Sequence, residues 1–153
     1  MEAMAEDCMP CAGWRRVGSL PPSEAVLVGD HWRVAHAFNT TLPGWLVLLP
    51  RRHVTALDQL ELPEIGELGP VLRSVTAALR AVVGCEKTYV MLFAEQEKFG
   101  HVHFHVVPRM GDLAADHQGP RIFHYLSQPE AEWLSESERD DLARRLQAAL
   151  PSG

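Results

Sequence analysis

Residues 101–107 read His101-Val102-His103-Phe104-His105-Val106-Val107: three histidines at i, i+2 and i+4, each followed by an apolar residue. Successive side chains of a β-strand point to opposite faces. In a strand the three imidazoles therefore line one face, about 6.5–7 Å apart, while Val102, Phe104 and Val106 line the other. On a helix each two-residue step turns about 200°, and nothing would converge. The pattern predicts a strand over 101–107, apolar side on a core and imidazoles facing a cleft, with Pro108 ending it. A merely exposed polar face would mix in Thr, Lys or Glu. Two chemistries suit the row better. One is a metal shared by ring nitrogens; the other is covalent catalysis, with one imidazole attacking an electrophile and its neighbours handling charge and protons. Spacing alone does not separate them.

Working outward, residues 24–28 and 32–38 flank Gly29-Asp30 as a hairpin. Residues 45–49 form a short apolar strand between Pro43-Gly44 and Pro50. Ile65, Leu68, Leu72, Val75, Leu79 and Val82 follow a 3-4-3-4-3 spacing that marks an amphipathic helix. Pro63 suits its first turn and Gly84 its end, and Pro70 predicts a kink or break. A strand over 88–94 precedes the histidine strand, joined to it by the tight segment 95–100. A last helix, near 136–149, starts at the capping box Ser135…Glu138 and buries Leu142, Leu146 and Ala149. Short connections imply an α+β fold: a mainly antiparallel sheet of about five strands, helices on one face, the other face left to the histidines.

The 153 residues amount to one domain, spanning 1–153. A net charge of −6 argues against a general binder of nucleic acid polymers. No apolar run approaches the roughly 20 residues that span a membrane. The stretch Met1–Pro10 is acidic and has no apolar segment of a signal peptide, so a cytoplasmic protein is expected. Three cysteines are too few for a disulfide framework, and Cys85 reads as a small buried apolar residue. Cys8-Met9-Pro10-Cys11 has three readings: a redox pair, half a zinc site, or coincidence. The redox reading wants a helix start after a strand, which a short tail followed by Ala12-Gly13 does not suggest. A zinc site needs two further ligands.

The row His-φ-His-φ-His-φ-φ, with φ apolar, resembles the signature of the histidine triad (HIT) superfamily of nucleotide hydrolases and transferases. A second block, Pro43-Gly44-Trp45-Leu46-Val47-Leu48-Leu49-Pro50-Arg51-Arg52-His53, resembles the family's upstream strand. There the family usually has Pro-Gly-His; here the third residue is Trp45. The resemblance implies the same α+β sheet and a small-molecule nucleotide substrate. His103 would attack the α-phosphorus to give a nucleotidyl-imidazole, and His105 would hydrogen-bond the phosphate. Asn39 stands near the place where relatives hold the ribose, and Arg51, Arg52 and Arg109 would add positive potential at the rim. As in the Cys-x-x-Cys members, Cys8, Cys11, His53 and His101 would bind a structural zinc. A homodimer follows from family habit.

This sequence also departs from the pattern. Relatives often carry Gln or Asn where Ala94 stands, and Ser or Thr just ahead of the triad, where Glu97-Lys98-Phe99-Gly100 offers neither. Glu95 and Gln96 are the substitutes within the same loop. The leaving group is therefore open. Two rival readings stand beside the covalent one: a catalytic zinc hydrolase using the histidine row, and a nucleotide-binding module without catalysis.

Overall fold

The computed structural model describes residues 6–151, so the first five residues of the acidic stretch Met1–Pro10 lie outside the described residues. Elements follow in the order α1 (Met9–Arg15), β1 (Leu27–Val28), β2 (Trp32–His36), β3 (Leu46–Pro50), α2 (Leu62–Val83), β4 (Lys87–Leu92), β5 (Phe104–Arg109) and α3 (Glu136–Ala149). The strands form one antiparallel sheet, ordered β1-β2-β3-β5-β4. The Gly29-Asp30 hairpin pairs Val28 with Arg33 as expected.

α2 and α3 cover one face. Val34, Leu46, Leu48 and Val106 of the sheet pack there with Val75 and Leu79 of α2 and with Leu142 and Leu146 of α3. A capping box of Glu61 and Glu64 starts α2, and Gly84, at φ +70°, ends it. Of the expected kink or break at Pro70, the break does not occur: the helix is continuous from Leu62 to Val83. Pro70 and Gly66, whose carbonyl has no N–H of Pro70 to accept from, both lie on the exposed side, open to solvent. Downstream, Val71, Val75, Ala78 and Leu79 are buried and hold the next turns in place. The Ser135–Glu138 capping box forms as read.

Two expectations about the histidine strand are corrected. β5 begins at Phe104 rather than His101, and it continues through Pro108 to Arg109. Its ladder with β3 runs only from Leu48–Phe104 to Leu46–Val106. Pro50 has no N–H to extend that ladder, and the Val102 N–H turns instead to the Val54 carbonyl at 2.7 Å. Beyond Val106 the β3 side of β5 is unpaired, so Pro108 fits opposite Thr88 of β4. Gly44, at φ +94°, allows the turn before β3 to press against this strand. A Cβ there would lie 3.1 Å from Pro108 Cγ and 3.2 Å from Leu79 Cδ2.

The histidine face is not left bare. A 3-10 stretch, Gly119–Leu126, folds over it and packs Ile122 and Phe123 with Ala37, Trp45 and Val107. The C-terminal residues, which carry no motif, thus build a wall of the cleft.

Candidate active site and metal centre

The Cys pair opens a helix, which Ala12-Gly13 gave no reason to expect. Cys8 caps α1, its Sγ accepting the Cys11 N–H at 3.4 Å, with Pro10 in the first turn. No strand precedes α1 among the described residues, and both cysteines stand outside any disulfide with their sulfurs against imidazoles. The redox arrangement is therefore not the one built. Cys8 Sγ and Cys11 Sγ each lie 3.5 Å from His101 Nδ1, Cys11 Sγ lies 3.4 Å from His53 Nδ1, and the two Nδ1 atoms are 3.2 Å apart. All four donor atoms fall within 4.8 Å of one another. A zinc tetrahedron with Zn–S of about 2.3 Å and Zn–N of about 2.0–2.1 Å has S–N edges of about 3.5 Å and N–N edges of about 3.3 Å. The donors sit at those spacings before any ion is considered. Two thiols and two imidazoles fit zinc.

The surroundings prepare these ligands. His101 Nε2–H donates to the Pro50 carbonyl at 2.8 Å. A carbonyl only accepts, so Nδ1 keeps its lone pair. Burial pushes the His101 pKa down to about 4, which keeps the ring in the neutral, ligating form. Next to His53, Arg52 grips the buried Glu64 of α2 with Nε and Nη2, at 3.1 and 3.0 Å. This fork fixes the loop after β3, and the loop holds His53 beside the cysteines.

His101 turns into this cluster, so the expected row of three imidazoles is a row of two. His103 and His105 stay together, ring centroids 4.9 Å apart, and both line a cleft of 820 Å³ on the sheet. His103 Nδ1–H donates to the His101 carbonyl at 2.9 Å, leaving Nε2 with the lone pair. The Trp45 indole N–H donates to His105 Nδ1 at 3.0 Å. Burial lowers the pKa of both rings, that of His105 to about 3, so both are neutral at pH 7. Phe38, Phe93 and Phe99 stand around the mouth, Phe38 and Phe93 about half exposed.

Asn39, Glu95 and Gln96 line the cleft, and Ala94 beside them adopts φ +55°. The three rim arginines do not line it. Arg51 stacks 4.2 Å over Trp14 and donates to the Asp30 carbonyl, Arg52 holds Glu64, and Arg109 pairs with Glu86 at 3.0 Å. Arg33 and Arg139 supply the positive charge in the cleft instead. Sequence reasoning also missed Phe123, Leu126 and Arg139, which reach the cleft from the motif-free C-terminal part. His36 was missed too, although a histidine in an otherwise apolar strand is a visible signal.

His36 is buried and bonded at both nitrogens: Nδ1–H donates to the Ala37 carbonyl at 2.8 Å, and Nε2 accepts the Gly44 N–H at 2.9 Å. Burial pushes its pKa from 6.5 to about 4. Between those values the unfolded chain takes up a proton that the folded chain refuses. The contribution is therefore complete above pH 6.5 and is lost as pH falls towards 4, about 3 kcal/mol in all. His36→Asn, which does not titrate, is expected to be less stable than wild type in urea at pH 7. The gap should narrow towards pH 4.5; a gap independent of pH would contradict the assignment.

A five-stranded antiparallel sheet with two neutral imidazoles over a cleft, beside a Cys₂His₂ donor set, defines a class of α+β histidine-site proteins. The HIT domain profile matches residues 21–112, well over half of the chain, and the chain belongs to the HIT domain family. A sequence search among curated proteins finds no match. Among solved structures, a Hit-like protein involved in cell-cycle regulation from Bartonella henselae superposes with a TM-score of 0.71 at 18% identity, covering 97% of this chain and 100% of that one. A Zn-bound histidine triad family protein from Mycobacterium smegmatis gives 0.65 at 18% identity, covering 93% and 91%. A uridylyltransferase mutant gives 0.63 at 20% identity, covering 93% of this chain but 46% of that one, so this chain spans about half of that protein. At such identities the likeness shows the fold alone.

Proposed function

We propose that the protein is a nucleotide hydrolase or nucleotidyl transferase acting at the α-phosphate through a covalent nucleotidyl-histidine. The observation that carries this reading is the hydrogen bond from His103 Nδ1–H to the His101 carbonyl, which leaves Nε2 as a bare nucleophile on the cleft wall. Nε2 attacks the α-phosphorus, a P–N bond forms, and the bond to the leaving group breaks with its electron pair. Water or a second acceptor then displaces the imidazole. A neutral ring needs no separate base for the attack. His105 hydrogen-bonds the phosphoryl oxygens as charge develops, and Asn39 contacts the ribose. Nucleoside phosphoramidates and dinucleoside polyphosphates are the substrate types in view.

The same reading includes a structural zinc on Cys8, Cys11, His53 and His101. A closed four-ligand site would leave no position for substrate, so an ion held by these four residues would tie α1 and the His53 loop to the segment before β5. The enzyme works in the cytoplasm, where its thiols stay reduced, as a homodimer. Among the described residues no helix is long and apolar enough to cross a membrane.

Trapping tests the chemistry. Brief incubation with a nucleoside phosphoramidate labelled at phosphorus should leave an acid-labile label on the peptide containing His103. No label under rapid quench, despite turnover, would refute the covalent route; binding without turnover would mark a non-catalytic module.

A further inference from the structure

Trp45 stands where relatives usually carry a histidine, and the mechanism above assigns it no task. Its ring is fully buried and fixed from several sides. It packs edge-on against Phe123, centroids 5.3 Å apart, and against His105 at 5.7 Å. Its backbone carbonyl accepts the Ala37 N–H at 2.8 Å. From this position the indole N–H reaches His105 Nδ1 at 3.0 Å.

An indole nitrogen donates and never accepts. A proton on His105 Nδ1 would therefore point at another proton, whether it belonged to the other tautomer or to the imidazolium. The neighbouring ring is fixed the other way round, because a carbonyl that only accepts holds the proton on His103 Nδ1. Each ring thus spends Nδ1 on the protein and leaves Nε2 for the ligand. The two Nε2 atoms differ: that of His103 is bare, that of His105 carries hydrogen. An imidazole at position 45 would not enforce this, since it can donate or accept.

We infer that Trp45 is a positioning residue: its indole N–H holds His105 in the Nε2–H tautomer and in one ring orientation, making it a fixed neutral donor to the phosphoryl group beside the His103 nucleophile. The role in turnover rests on the function proposed above. The tautomer itself does not, because it exists without substrate.

The test reads the two separately. In zinc-loaded protein with ¹⁵N-labelled histidine, assigned against His105→Gln, the His105 ring should show a bare Nδ1 and a protonated Nε2 at neutral pH. Trp45→Phe should convert this to averaged tautomer signals and lower kcat about tenfold, with KM changed far less. If Phe at 45 impairs folding, 3-benzothienylalanine at that position keeps the shape and replaces the N–H with sulfur; the same two losses are expected at wild-type Tm. A protonated Nδ1 in the wild type overturns the inference, as does a wild-type spectrum in either variant. A changed spectrum with unchanged kcat overturns the positioning role. If the wild type hydrolyses no nucleotide, the proposed function fails while the spectra still decide the tautomer.

Discussion

His103→Ala is expected to lower turnover of a nucleoside phosphoramidate by about 10³-fold or more while leaving a folded, zinc-loaded protein. The size of the loss follows from removing the atom that forms the covalent bond; what survives comes from binding and from His105 alone. The small structural effect follows from location. His103 borders the cleft rather than the apolar core, so truncation enlarges an existing cleft instead of opening a void. Folding loses one hydrogen bond, Nδ1–H to the His101 carbonyl, worth about 1 kcal/mol. That corresponds to a drop of about 2–4 °C in Tm for a chain of this size. Elemental analysis should find zinc unchanged, since His103 is not among the four clustered donors. Retained turnover would remove the covalent route, and loss of zinc would place His103 on the metal.

On the proposed zinc site and activity, Cys11→Ala should do the reverse: release the metal, unsettle the fold, and abolish turnover only in consequence. The Cys11 side chain is fully buried and its sulfur faces both His53 and His101. Without it the remaining three donors bind zinc weakly, and the ion's binding free energy no longer supports the folded state. Zinc content should fall below about a tenth of an equivalent, and Tm by about 10 °C or more, the equivalent of several kcal/mol. Prolonged chelation of the wild type should match this, slowly and with loss of structure. Immediate inactivation by chelator with an unchanged Tm would instead point to a metal that takes part in the reaction. On the proposed function, activity would depend on the cluster indirectly, because the carbonyl that orients His103 belongs to His101, one of the four clustered residues.

Much of this site was legible because it is periodic or local. Alternation predicted that His103 and His105 share a face, and they do. The capping box at Ser135 and the end of α2 at Gly84 are decided within one helical turn, and they fold as read. The four candidate zinc ligands, taken from family resemblance, come together. Errors arose where a long-range partner decides. Alternation could not show that Pro50, about fifty residues upstream, ends the ladder and frees His101 to leave the row. The arginines of residues 51, 52 and 109 found acceptors and aromatic faces away from the cleft.

What the sequence by itself determined is the set of reactive groups and the face of the strand on which two of them stand, because strand geometry repeats every two residues whatever surrounds it. What only the tertiary structure decided is the state of each imidazole: His101 turned neutral into the Cys₂His₂ donor cluster, His103 with a bare Nε2, His105 bonded to an indole sixty residues away. Tautomer, charge and orientation depend on which carbonyl or N–H stands opposite each ring nitrogen. Those partners come from other strands and loops, placed there by packing of the whole sheet.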